Sequence, residues 1–178
     1  AITISSQLKN YLFSNNSKIS LINLNIYKPS IIKNIDLSSS LINKELKEVG
    51  NHGKIIYFRF EQDYNVLFYL ALTGALLINE FTYNQYNEYI NKYKIIEFNF
   101  KDSDSIKKIT FTAKRLFEKV VIIKDSNPFK KYGPDFRKIN ITDFIKIITK
   151  SKKEIKSALM DQTLISGIGN IYAIESLF

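Results

Sequence analysis

The stretch Ile155-Lys156-Ser157-Ala158-Leu159-Met160-Asp161-Gln162-Thr163-Leu164-Ile165-Ser166-Gly167-Ile168-Gly169-Asn170-Ile171-Tyr172-Ala173-Ile174-Glu175-Ser176-Leu177-Phe178 reads as helix, compact turn, helix. Gly167 and Gly169 allow a backbone approach that side chains would block, and the second helix opens with unpaired N–H groups and the positive end of its dipole. That combination suits a phosphate oxygen. Asn170 stands at the helix entrance, where its side chain either caps the helix or donates to a phosphate, and Lys156 adds positive charge. A dinucleotide-binding reading fails, because Tyr172 occupies the place of the third small residue and the element before the glycines is helical.

Upstream of this stretch the pattern changes twice. Thr142-Asp143 are expected to cap a helix carrying Phe144, Ile145, Ile147 and Ile148, and a second helix is expected from about Lys152 to Asp161. Between Ile19 and Phe117 short β-branched and aromatic runs predominate: Ser20–Tyr27, Lys47–Gly50, Lys54–Phe60, Val66–Leu70, Ala75–Ile78, Lys94–Phe100 and Lys108–Thr112, with Lys119–Ile123 following. Such spacing predicts an antiparallel sandwich or barrel. Gly53, Gln62-Asp63, Gly74 and residues 101–105 supply turns, and Glu80 to Lys92 reads as a short helix or a crossing loop. Thr3 to Phe13, with Ile4, Leu8, Tyr11 and Leu12 at helical spacing, predicts an amphipathic helix. The boundary between the two parts falls near Asn127 to Lys138. Apolar Ile171, Tyr172, Ile174, Leu177 and Phe178 require a partner, so the ending reads as a truncation.

Composition narrows the function. With 26 Lys and Arg against 17 Asp and Glu the net charge is +9, which favours a polyanion, although Arg occurs only at 59, 115 and 137 and the Lys, Ile and Asn bias is that of an AT-rich coding sequence. Cysteine is absent and His52 is the sole histidine, which excludes disulfides and thiolate metal sites and argues against a Ser-His-Asp triad. No apolar run approaches the roughly 18 residues of a membrane span, and no signal-peptide order is present, so an intracellular protein is expected.

Leu159-Met160-Asp161-Gln162, Gly167 to Ala173 and Glu175-Ser176-Leu177-Phe178 together resemble the helix-two-turn-helix signature of the formamidopyrimidine-DNA glycosylases and their endonuclease VIII-like relatives. Further matches follow in order. Gly53-Lys54 before Ile55-Ile56-Tyr57-Phe58 is similar to the family's Gly-Lys-Tyr-Leu strand, which implies proton transfer during elimination for Lys54. Tyr69-Leu70-Ala71-Leu72-Thr73-Gly74 resembles His-Leu-Gly-Met-Ser-Gly, so Leu72 takes the place of the Met that fills the gap left by an extruded nucleotide. Thr112-Ala113-Lys114-Arg115-Leu116-Phe117 is similar to Thr-Asp-Pro-Arg-Arg-Phe: Arg115 corresponds to the Arg that faces the estranged base and Phe117 to the wedge, while Leu116 replaces one Arg and bears on recognition of the opposite base. Tyr132-Gly133-Pro134-Asp135 resembles the Leu-Gly-Pro-Glu that leads into the helical domain.

The resemblance implies an α+β fold: an antiparallel β-sandwich with a flanking helix over residues 1–127, then an incomplete helix-two-turn-helix domain over 128–178. It implies base-excision repair of oxidised purines (formamidopyrimidine, 8-oxoguanine), in which an N-terminal proline attacks C1′ of a flipped nucleotide, a Schiff base forms, and β/δ-elimination cuts the backbone. Here Ala1-Ile2-Thr3 aligns with the Val-Glu-Thr just after the family's Pro-Glu-Leu-Pro-Glu opening, so the nucleophile and its acid are expected upstream. A zinc finger that holds a structural zinc is likewise expected beyond Phe178, and no metal or other cofactor is expected in these residues. The implied partner is damaged double-stranded DNA in a cleft, contacted by Leu72, Arg115 and Phe117 from one part and Lys156, Gly169 and Asn170 from the other. A monomer with no membrane association, in the bacterial nucleoid or another DNA-holding compartment, is expected. A non-catalytic damaged-DNA-binding paralogue is the alternative, and an RNA-binding role a weaker third.

Overall fold

A computed structural model describes all residues except 15–17, 79–83, 104 and 116, and the side chains of 84–86. Leu116 therefore lies outside the described residues, as does the start of the Glu80 to Lys92 segment. In chain order the elements are α1 (Ile2–Leu12), β1 (Ser20–Ile26), β2 (Ile32–Lys33), β3 (Leu46–His52), β4 (Ile55–Phe60), β5 (Tyr64–Tyr69), β6 (Ala75–Ile78), α2 (Asn84–Tyr93), β7 (Lys94–Lys101), β8 (Ile106–Thr112), β9 (Lys119–Lys124), α3 (Ile141–Lys150), α4 (Ile155–Met160) and α5 (Asn170–Glu175). They fall into two compact units, Ala1–Gly50 with Ile55–Ser126, and Asn51–Lys54 with Asn127–Phe178.

The first unit holds two open sheets, ordered β1-β7-β8-β6 and β2-β9-β5-β4-β3, so the sandwich expectation holds and the barrel does not. Their inner faces are built from alternate positions of aromatic-rich strands, which is what a pleated surface with one buried side requires. Phe58 and Phe68 from one sheet meet Phe98, Phe100 and Phe111 from the other, most in edge-to-face contacts with ring centroids 5.6 Å apart for Phe58–Phe98 and 5.7 Å for Phe68–Phe98. All five rings are fully buried. Leu8 and Leu12 of α1 join this core. Buried Lys107 fastens the end of that helix, donating to Leu12 O at 3.0 Å and to Ser14 Oγ at 2.9 Å while pairing with Asp102 at 3.1 Å.

Two expectations need correction. The five-stranded sheet carries one parallel pair, β2 against β9, a two-residue strand too short to leave a periodic trace. The cap of α3 is Asn140, not Thr142-Asp143: its Oδ1 accepts from the Asp143 N–H at 2.9 Å, and its Nδ2 donates back to Asp143 Oδ2 at 2.8 Å. Asp143 thus sits three residues inside the cap, where a carboxylate also meets the positive helix end. The next helix, α4, begins at Ile155. A small core of Leu159, Ile165, Ile168 and Ala173, with Phe144, Ile147 and Ile148 of α3 against it, holds the second unit together.

Candidate nucleic-acid interface

In the second unit the tip between β3 and β4 is fixed by residues distant in sequence. The Gly53 N–H donates to Asp135 Oδ2 at 3.0 Å, and the backbone there has φ +54°, where a Cβ would lie 2.8 Å from Gly167 N and from Ser166 Cβ. Only glycine fits both the conformation and the space. His52 stacks on Phe129, centroids 4.7 Å apart, with its Nε2 2.9 Å from Gly133 O. Asp135, 3% exposed, also takes both arms of Arg137, Nε to Oδ1 at 3.0 Å and Nη2 to Oδ2 at 2.6 Å. Burial pushes its carboxyl pKa up, but the Arg137 fork and the Gly53 N–H outweigh burial and hold it below the ordinary value.

The turn between α4 and α5 is organised by Gln162. Its amide donates to Met160 O at 2.8 Å and Ile168 O at 3.0 Å, and its Oε1 accepts from the Gly167 N–H at 2.9 Å. Asp161 accepts from the Lys153 ammonium and from the N–H and hydroxyl of Thr163, which brings its pKa down to about 2. A carboxyl depressed in this way stabilises the fold above its unfolded value and loses that contribution as the pH falls from about 4 towards 2. Asp161→Asn should lower stability by roughly 1 kcal/mol at neutral pH. The difference should vanish near the acid end, as urea titrations at both pH values would show.

Lys54 reaches this turn. A side chain on Gly169 would begin 3.4 Å from Lys54 Nζ, so the glycine leaves the ammonium beside bare backbone at the entrance of α5. Lys54 makes no hydrogen bond or ion pair with the described residues, and desolvation lowers its pKa. Asn170 is the first residue of α5, Gly169 occupies the cap, and the exposed Asn170 side chain bonds to none of the described residues. The capping alternative is not realised. Lys156 is exposed on the first turn of α4.

In the first unit, Leu72 is 78% exposed at the turn between β5 and β6, and Phe117 is 74% exposed between β8 and β9. Arg115 is exposed beside the latter and paired with none of the described residues through its side chain. Sequence reasoning missed what ties these loops. Glu118 Oε1 accepts from the Thr73 N–H at 2.9 Å and the Thr73 hydroxyl at 2.6 Å, and Thr73 Oγ1 accepts from the Arg115 N–H at 3.2 Å. Among the described residues no cluster of three or more His, Cys, Asp or Glu is placed to hold a metal. Among the described residues no helix is long and apolar enough to cross a membrane.

Comparison with known proteins agrees with this arrangement. The formamidopyrimidine-DNA glycosylase N-terminal domain matches residues 3–120, and the formamidopyrimidine-DNA glycosylase H2TH domain matches residues 132–178. The formamidopyrimidine-DNA glycosylase of Ligilactobacillus salivarius is 29% identical over 92% of this chain and 59% of its own length. That of the Wolbachia of Brugia malayi is 34% identical over 96% of this chain and 63% of its own length, so the chain spans about three fifths of these relatives. Among solved structures, the Lactococcus lactis enzyme bound to DNA containing an AP site aligns with a TM-score of 0.74 at 22% identity, over 98% of this chain and 66% of that one. MutM in complex with DNA containing carbocyclic 8-oxo-G aligns with a TM-score of 0.75 at 22% identity, over 98% of this chain and 64% of that one. On the match of both domains in order, the chain belongs to the formamidopyrimidine-DNA glycosylase family.

Proposed function

We propose that this chain is the DNA-gripping body of a base-excision-repair glycosylase that removes oxidised purines and cleaves the resulting abasic site as a lyase. The observation that carries the reading is the unpaired Lys54 ammonium held against the bare backbone of Gly169. A cation with no counter-ion among the described residues, beside a helix entrance that presents N–H groups, is an arrangement for a phosphate. Leu72 and Phe117 suit the unstacking of a duplex, since apolar wedges offset the few kcal/mol that an extruded base costs. Arg115 and Lys156 add charge for base and phosphate contact, and the Asn170 amide, bonded to none of the described residues, is available to a phosphate oxygen.

Within the reaction, a Lys54 pKa below the usual lysine value suits proton transfer during elimination, because the amine then exchanges a proton closer to neutral pH. No residue of the chain is assigned as the nucleophile. The test of the gripping role is Lys54→Gln: affinity for an abasic-site duplex should fall about fivefold and the salt slope should flatten by about 1, with melting temperature unchanged. An unaltered slope would remove Lys54 from the phosphate contact. For the enzymatic reading, borohydride trapping on an abasic-site duplex, run beside a form extended upstream of Ala1, should yield a covalent complex with the extended form.

A further inference from the structure

We infer that Glu118 is a positioning residue that, through Thr73, fastens the turn carrying Leu72 to the loop carrying Arg115 and Phe117, so that both apolar side chains meet a duplex as one preset wedge. The inference rests on the DNA-binding reading above and adds to it a device for holding the wedge.

Each wedge residue is one position away from the bond that ties the loops. Leu72 precedes Thr73 and Phe117 precedes Glu118. Glu118 is 4% exposed, yet both of its neighbours in sequence, Phe117 and Lys119, are exposed. Its Oε1 takes both Thr73 donors, while its buried Oε2 makes no hydrogen bond of ordinary geometry among the described residues. Burial pushes its carboxyl pKa up, but the Thr73 hydroxyl and the neighbouring backbone N–H groups outweigh burial and hold it below the ordinary value, so it stays a charged acceptor for Thr73. The Thr73 hydroxyl then accepts from the Arg115 N–H, so one side chain holds both loops.

The turn itself is under constraint. Ala71 has φ +42°, which an L side chain adopts reluctantly, and the Gly74 N–H closes the turn on Leu70 O at 2.8 Å. A Cβ on Gly74 would lie 2.6 Å from Leu70 O and 2.8 Å from Glu118 Cγ, so the Glu118 stem fills the space that this glycine leaves. Two exposed apolar side chains on separately mobile loops would have to be ordered when DNA binds. Ordering them during folding removes that cost from binding. Burial of the Glu118 charge among donors also keeps it from facing the phosphates.

The experiment compares affinity for an abasic-site duplex with affinity for the same duplex undamaged, using Thr73→Val, Thr73→Ser, Glu118→Gln and Leu72→Ala. Thr73→Val and Glu118→Gln should each reduce that ratio roughly tenfold, as Leu72→Ala does, with the undamaged-duplex affinity and its salt slope retained at a temperature where every variant is folded. Thr73→Ser, which keeps the hydroxyl, should restore it, and the Thr73→Val/Glu118→Gln double variant should be no worse than either single one. The inference is overturned if Leu72→Ala loses the ratio while Thr73→Val and Glu118→Gln keep it, or if the ratio falls only in step with melting temperature. Should Leu72→Ala itself keep the ratio, the wedge reading fails and the inference falls with it.

Discussion

Gly133→Ala should unfold the second unit. A Cβ at this position would lie 2.1 Å from Leu164 O, 2.3 Å from Leu164 C and 2.7 Å from Ile165 N, all of them backbone. No rotamer change relieves such a contact, and the strand of backbone it strikes is pinned by the Ser166 N–H to Pro134 O at 2.9 Å and the Gly133 N–H to Gln162 O at 3.0 Å. The cost belongs at or above the upper end of overpacking, about 3 kcal/mol. A unit of this size, with a core built around Leu159, Ile165, Ile168 and Ala173, has little stability to lose. Amide exchange at Gly53, Ser166 and Gly167 should become fast, whereas the amides of β4, β5 and β9 in the other unit should stay protected. Native-like protection at Gly167 in the variant would contradict the packing described.

The β-rich part was legible because its strands alternate or run apolar over lengths that a period of two reveals. Ala75–Ile78 has in the structure the bounds its sequence predicts, and the other predicted strands shift by only a residue or two at their ends. What escaped has a physical reason in each case. A two-residue β2 has no period, and Asn140 does not stand out as a cap because Thr142-Asp143 offers equally good cap chemistry two residues later. Lys107 looks like a solvated lysine and is buried, since its partners Asp102 and Leu12 O come from a loop and a helix end far apart in sequence.

The candidate site divides in the same way. Gly167, Gly169, Asn170 and Lys54 stand out as motif letters, and the structure places Lys54 against Gly169. Their supports do not stand out. Asp135 closes a four-residue motif and reveals nothing of a Gly53 N–H that lies 82 residues away. Glu118 sits between exposed residues, where a charge ordinarily faces water, and its partner Thr73 reads as one more turn residue. Long-range polar contacts of this kind carry no periodic signal, so they emerge only when the chain is folded.

Asp135→Asn should cost the second unit about 2–3 kcal/mol at neutral pH, because it leaves the Arg137 fork and the Gly53 N–H facing a neutral amide. The figure is set below that for a fully buried pair because the Arg137 side chain is 28% exposed and water there compensates in part. Arg137 and Gly53 hold the Asp135 pKa below its ordinary value, so the carboxylate stabilises the fold at every pH above the unfolded value of about 3.9. That contribution disappears as the pH falls through the folded value, and wild type and Asp135→Asn should then unfold at the same urea concentration. Because Gly53 is one of the donors, the loss should also reach Lys54: the variant's affinity for an abasic-site duplex should drop with a flatter salt slope, as in Lys54→Gln, even where the helices remain folded. A variant that kept wild-type stability at neutral pH would show that the buried Asp135–Arg137 pair does not hold the hairpin tip in place.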